Sequence, residues 1–99
     1  MGCGAPEGGV ALEGVDLTTQ SVIHGVVRRA GEPVGTAYVR LLDRTGEFTA
    51  EVPTSESGEF RFFAAPGEWT LRTLAPKSQP VDQPVTAARG QVAEVAVAL

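Results

Sequence analysis

Cys3 is the single thiol in the sequence and its most chemically pointed residue. A thiolate flanked by Gly2 and Gly4 has the reach to enter a partner's active site and the nucleophilicity to accept a sulfane sulfur as a persulfide. No Lys, Arg or His stands near it in sequence to favour the thiolate, and Glu7 disfavours it; the plain alternative is an idle thiol. His24 is the single histidine. Its neighbours Val22 and Val26 put it in a half-buried strand setting, which suits a structural histidine better than a catalytic base. Arg61 and Arg72 form the third feature. If Pro66-Gly67 makes a tight hairpin turn, the two guanidinium groups lie across a ladder from each other, an arrangement that asks for an anion or a carboxylate between them. Neutralisation by Glu51 or Glu59 is the structural reading; a small oxyanion site or an acidic partner surface is the functional one. Arg28 and Arg29 are read as solvated.

Counting residue types removes several chemistries. One His and one Cys cannot build a type-1 copper site, a structural zinc site or a mononuclear iron site of His and Tyr pairs. A hydrolytic triad around His24 would lack the strained-turn signature of a nucleophile elbow. No cofactor is expected, and the chain is read as non-enzymatic. A net charge of -4 disfavours nucleic acid. No apolar run of about 18 residues offers a membrane span, and residues 1–20 lack the pattern of an export signal, so the expected location is cytoplasmic. The lone cysteine agrees with a reducing compartment.

The elements that would position these residues read as strands. The 99 residues, 42% hydrophobic and 20% charged, suit one globular domain. Residues 1–17, with five glycines and one proline, read as a flexible tail carrying Cys3, and 18–99 as the folded domain. From Ser21 onward, short β-rich runs alternate with Gly and Pro at roughly 8 to 12 residue spacing, the pattern of an all-β sandwich or barrel, and no segment carries a helical period. Val22 to Arg28 places Ile23, Gly25 and Val27 on one face and Val22, His24 and Val26 on the other. Ala37 to Asp43 follows, and a two-residue turn at Thr45-Gly46 would pair Arg44 with Glu47, Leu41 with Ala50 and Arg40 with Glu51. Phe60 and Phe62, then Trp69 and Leu71, mark the centre of the core. Ala75 to Pro84, with three prolines, reads as a long loop or poorly paired edge. Val95, Val97 and Leu99 alternate in a terminal strand that is expected to be paired and essential to folding.

Several of these segments carry a resemblance. Ile23-His24-Gly25-Val26-Val27, Gly31 through Ala37, Gly58-Glu59-Phe60-Arg61-Phe62 and Pro66-Gly67-Glu68-Trp69-Thr70-Leu71 resemble carboxypeptidase regulatory-like, transthyretin-like domains. This implies a Greek-key antiparallel sandwich of about seven strands. Phe48 through Val52 and Phe60 through Gly67, behind a Gly-rich start containing Cys3, look like the small actinobacterial SseC-type proteins. That resemblance implies a setting in sulfur metabolism, with a thiosulfate sulfurtransferase-like enzyme as protein partner and Cys3 as candidate sulfur acceptor. The transthyretin-like urate-pathway hydrolases carry several histidines and a distinctive C-terminal tetrapeptide, so their activity is not expected of a chain ending Val97-Ala98-Leu99. The competing reading is a plain protein-binding or self-associating module with no thiol chemistry.

Overall fold

The computed structural model describes residues 21–99. Eight strands follow one another: β1 (Val22–Arg29), β2 (Glu32–Pro33), β3 (Tyr38–Leu42), β4 (Phe48–Pro53), β5 (Glu59–Phe63), β6 (Gly67–Leu74), β7 (Val81–Ala87) and β8 (Val92–Ala98). No helix among the described residues is long and apolar enough to cross a membrane. The described residues are all-β, with strands as their only regular elements, and two sheets stack as a sandwich. One holds β4-β3-β6-β7 in that order; the other is built on β1. Val27 donates its N–H to Gly58 O and accepts Val34 N–H at its own carbonyl, so β5 and then β2 follow along one side of β1. β8 lies along the other side, parallel to β1, while every other strand pairing is antiparallel.

The period-2 alternation makes this possible, because each strand sends one set of side chains between the sheets. From β1 come Ile23 and Val27, from β3 Val39 and Leu41, from β5 Phe60 and Phe62, from β6 Leu71 and Thr73, all buried. Each large apolar side chain removed from water contributes about 1.5 to 3 kcal/mol, the term that offsets chain ordering. Phe60 and Phe62 meet edge to face, with ring centroids 6.1 Å apart. Phe60 also covers Gly25, where a methyl group would press on the ring and stand 2.7 Å from Val95 O. Beneath the core's edge, Thr54 Oγ1 donates to Val34 O at 2.8 Å and accepts Ala37 N–H at 3.2 Å, clamping the loop between β2 and β3.

Three expectations need correction. The β3–β4 turn is Arg44-Thr45-Gly46, closed by Asp43 N–H to Glu47 O at 2.9 Å, so Arg44 does not face Glu47. Gly46 at φ 90° supplies the left-handed step, and an irregularity between Leu41 and Leu42 absorbs the extra residue, so Arg40 still faces Glu51 and Leu41 still faces Ala50. Of the two readings of Ala75 to Pro84, loop or poorly paired edge, Val81 to Pro84 takes the edge, but its pairing is not poor: it belongs to β7, which pairs along its whole length with β6. Proline is tolerated there because β7 is an edge strand. Finally, β5 and β6 are not a hairpin. β5 pairs with β1 and β6 with β3, because the chain crosses between sheets through Ala64-Ala65-Pro66.

Candidate functional site

That crossing separates the two arginines: Arg61 and Arg72 lie on outer faces of opposite sheets, and no anion site forms between them. Cys3 lies outside the described residues. Each arginine has a local setting that the sequence did not reveal.

On the β1 sheet, β8, β1 and β5 bring Glu94, His24 and Arg61 into one cross-strand row. His24 Nδ1 and Glu94 Oε1 are 2.9 Å apart. On the ring's far side, Nε2 stands 3.8 Å from Glu59 Oε1, and both atoms are buried without a hydrogen-bond partner. Arg61 lies over the Phe63 ring, 5.0 Å from its centroid. A carboxylate on one imidazole nitrogen orients the ring as in a base dyad. Here, however, the second nitrogen closes on Glu59, which occupies the place a hydroxyl nucleophile would need. Neutral His24 with its proton on Nδ1 turns a lone pair toward Glu59, whereas a ring protonated on both nitrogens can bridge the two carboxylates. The cluster ties β8, β1 and β5 together more readily than it does chemistry. Among the described residues no group of three or more His, Cys, Asp or Glu is arranged to hold a metal.

On the other sheet, Glu51, Arg40, Arg72 and Asp82 form a row across β4, β3, β6 and β7. Like charges do meet, but the pair is Arg40 and Arg72. Each is relieved from its outer side: Arg40 Nε donates to Glu51 Oε2 at 3.2 Å, and Arg72 grips Asp82 through Nε and Nη2 at 2.8 and 3.0 Å. Hydrogen bonding from Arg72 holds the Asp82 carboxyl below its ordinary range, and Asp82 in turn raises Arg72. The signal for Asp82 was present in the alternation of Val81, Gln83 and Val85 with Asp82, Pro84 and Thr86; the prolines masked it.

Rows that are apolar but for Thr70 flank this charged one. Pro53, Tyr38 and Leu74 lie on one side; Phe48, Leu42, Thr70 and Pro84 on the other. Tyr38 is 51% exposed and Phe48 60%. Arg40 lies 5.9 Å from the Phe48 ring centroid. A shallow cleft of about 350 Å³ opens nearby against Trp69, Pro84 and Val85, with Arg44 and Glu68 at its margin. Trp69 Nε1 is engaged with Ala65 O at 2.9 Å and therefore offers the cleft no donor.

A family model described as a protein of unknown function (DUF1416) matches residues 3–99. The chain is 56% identical over 75 residues to two uncharacterized proteins of Mycobacterium tuberculosis, a stretch covering 74% of this chain and 75% of each relative. It is 60% identical over 63 residues to an uncharacterized protein of Mycolicibacterium smegmatis, covering 63% of this chain and 70% of that one. Among solved structures, the catechol 1,2-dioxygenase of Pseudomonas arvilla C-1 superposes with a TM-score of 0.58 at 12% identity, over 88% of this chain and 53% of that one. The catechol 1,2-dioxygenase of Acinetobacter sp. ADP1 gives 0.54 at 15% identity, over 88% and 54%. This chain spans about half the length of either dioxygenase, and at such identities the likeness is one of fold alone.

Proposed function

The chain belongs to the DUF1416 family of proteins of unknown function, and from that premise and its outer faces we propose that it is a non-enzymatic module that binds a protein partner through the outer face of β4-β3-β6-β7. The exposed pair Tyr38 and Phe48 carries this reading. Two large aromatic side chains held on a rigid sheet, with Arg40 between them, are the side-chain types that dominate binding energy at protein interfaces. The ion pairs of Arg40 and Arg72 are already formed in the free protein, so docking need not order them. An aromatic anchor buried by a partner costs about 2 kcal/mol or more when truncated, roughly thirtyfold in Kd.

For the partner's chemistry the resemblance of the sequence to SseC-type proteins is the guide. It favours a thiosulfate sulfurtransferase-like enzyme, with Cys3 as acceptor: the Cys3 thiolate attacks the outer sulfur of the enzyme's persulfide, a new persulfide forms, and the enzyme's thiolate departs. The test uses a thiosulfate sulfurtransferase from an organism that carries this chain. Calorimetry should show binding that Tyr38→Ala and Phe48→Ala each weaken by about thirtyfold; unchanged affinity in both would remove the face from consideration. Intact mass after incubation with thiosulfate and the enzyme should show one added sulfur atom, reversed by dithiothreitol and absent from Cys3→Ser. Binding without that increment would leave the docking module and discard the sulfur carrier.

A further inference from the structure

We propose that β8 is a self-association edge, along which a second copy of this chain pairs antiparallel about a two-fold axis through Val95. This edge is separate from the partner-binding face, which lies on the other sheet. Gln91 O accepts Val22 N–H, and Leu99 N–H donates to Arg28 O, so the odd-numbered residues of this strand bond to β1. By the alternation of a strand, the N–H and C=O groups of Val92, Glu94, Ala96 and Ala98 point the other way. β8 pairs with no strand but β1 among the described residues, so no described strand takes up those groups.

The remaining edges carry features that discourage pairing. β7 has Asp82 and Pro84; β4 has Glu51, Pro53 and an irregular register. On β5, Ser55 caps Glu59, its N–H donating to Glu59 O and its hydroxyl accepting Glu59 N–H. β8 reads Val-Ala-Glu-Val-Ala-Val-Ala, with Glu94 its one charge and no proline. Such a strand is a ready template for another.

One register uses every outward group. With Val95 on the two-fold axis, Val92 faces Ala98 of the second copy and Glu94 faces Ala96, each pair exchanging both N–H···O bonds. Ala93 faces Val97, and Val95 faces its own counterpart as a pair that exchanges no bonds. Glu94 thereby avoids its like-charged counterpart and keeps its bond to His24, while Ala96 and Ala98, both exposed, are small enough not to hinder approach. The interface is isologous and closes on itself.

Sedimentation across the micromolar range should give a dimer. Ala96→Glu, which sets a carboxylate opposite Glu94 of the second copy, should give a monomer that still unfolds cooperatively, whereas Ala96→Lys, which sets an opposite charge there, should remain dimeric. The register is read by cross-linking on a Cys3→Ser background. Val95→Cys meets its counterpart at a Cα separation of about 4.5 Å, within disulfide range, and should oxidise to a covalent dimer; Ala96→Cys, opposite Glu94, should not. A wild-type chain that stays monomeric at ~100 μM, a concentration at which even a weak interface is populated, overturns the proposal. So does a dimer that cross-links through Ala96→Cys but not through Val95→Cys.

Discussion

At Asp43 a single carboxylate shapes a whole turn. Its Oδ1 accepts the Thr45 hydroxyl at 2.6 Å, Thr45 N–H at 2.9 Å and Glu47 N–H at 3.0 Å. The Thr45 hydroxyl first, then the Glu47 amide, hold its pKa below the ordinary 3.8. A carboxyl whose folded pKa is depressed contributes stability that is present above 3.8 and lost as pH falls through the folded value. Asp43→Asn should therefore unfold more easily at neutral pH, and the gap to wild type should shrink below about pH 4; thermal melts from pH 7 to 2 read both. A parallel decline would show that the turn's bonds do not depend on the charge. Gly25 is the steric counterpart. A methyl there meets the Phe60 ring and Val95 O, backbone that cannot swing aside, so Gly25→Ala should cost about 1 to 3 kcal/mol in denaturant titrations, as overpacked cores do. A neutral result would mean that β8 can move away from β1. The sequence placed Gly25 on the same face as Ile23 and Val27 without saying which face is inward, and the need for glycine comes from a ring some 35 residues downstream, which no local pattern reveals.

Among the elements, legibility follows how local each determinant is. Alternation in β1, β3 and β5 identified the strands, and in β3 and β5 the inward faces too, because both are written in consecutive residues; β1, apolar on both faces, showed only its two sets of side chains. Three prolines between Ala75 and Pro84 left β7 read as a long loop or a poorly paired edge, since their missing N–H groups matter only if the strand is central, and which strand is an edge is decided elsewhere. The turn at Pro66-Gly67 likewise suggested a hairpin, although the choice between pairing and crossing to the other sheet depends on what lies beside β1. Arg29 shows the same limit. It reads as solvated, yet its Nη2 donates to Pro76 O at 2.7 Å and to the Ser78 hydroxyl, holding the β6–β7 loop against the end of β1. Lys77, exposed between those two contacts with φ 62°, is where that loop meets solvent. Arg29→Ala should accelerate tryptic cleavage after Lys77 severalfold while leaving the global unfolding midpoint nearly unchanged, because it opens a loop and not the core. If cleavage and global unfolding rose together, the loop would be part of the cooperative unit.

For the whole molecule the decisive contact is among the longest in sequence that the described residues make. β8 returns to lie parallel to β1, and the His24–Glu94 bond spans 70 residues. Nothing in Val92 to Ala98 encodes a parallel neighbour; the strand was legible, its partner was not. Closing so long a loop costs entropy before any contact rewards it, so the β3–β4 hairpin, whose residues are close in sequence, is expected to form ahead of the β1–β8 pair. Val97 allows that order to be measured, being buried to 2% exposure at the end of the ladder. Val97→Ala removes two methyl groups from the core and should cost about 1 to 3 kcal/mol. If β8 docks after the rate-limiting step, that loss should appear almost wholly as faster unfolding, leaving the folding arm of the denaturant chevron in place. The same substitution slowing folding instead would put β8 in the nucleus, and the two ends of the domain would then have to meet before the hairpin could be of use.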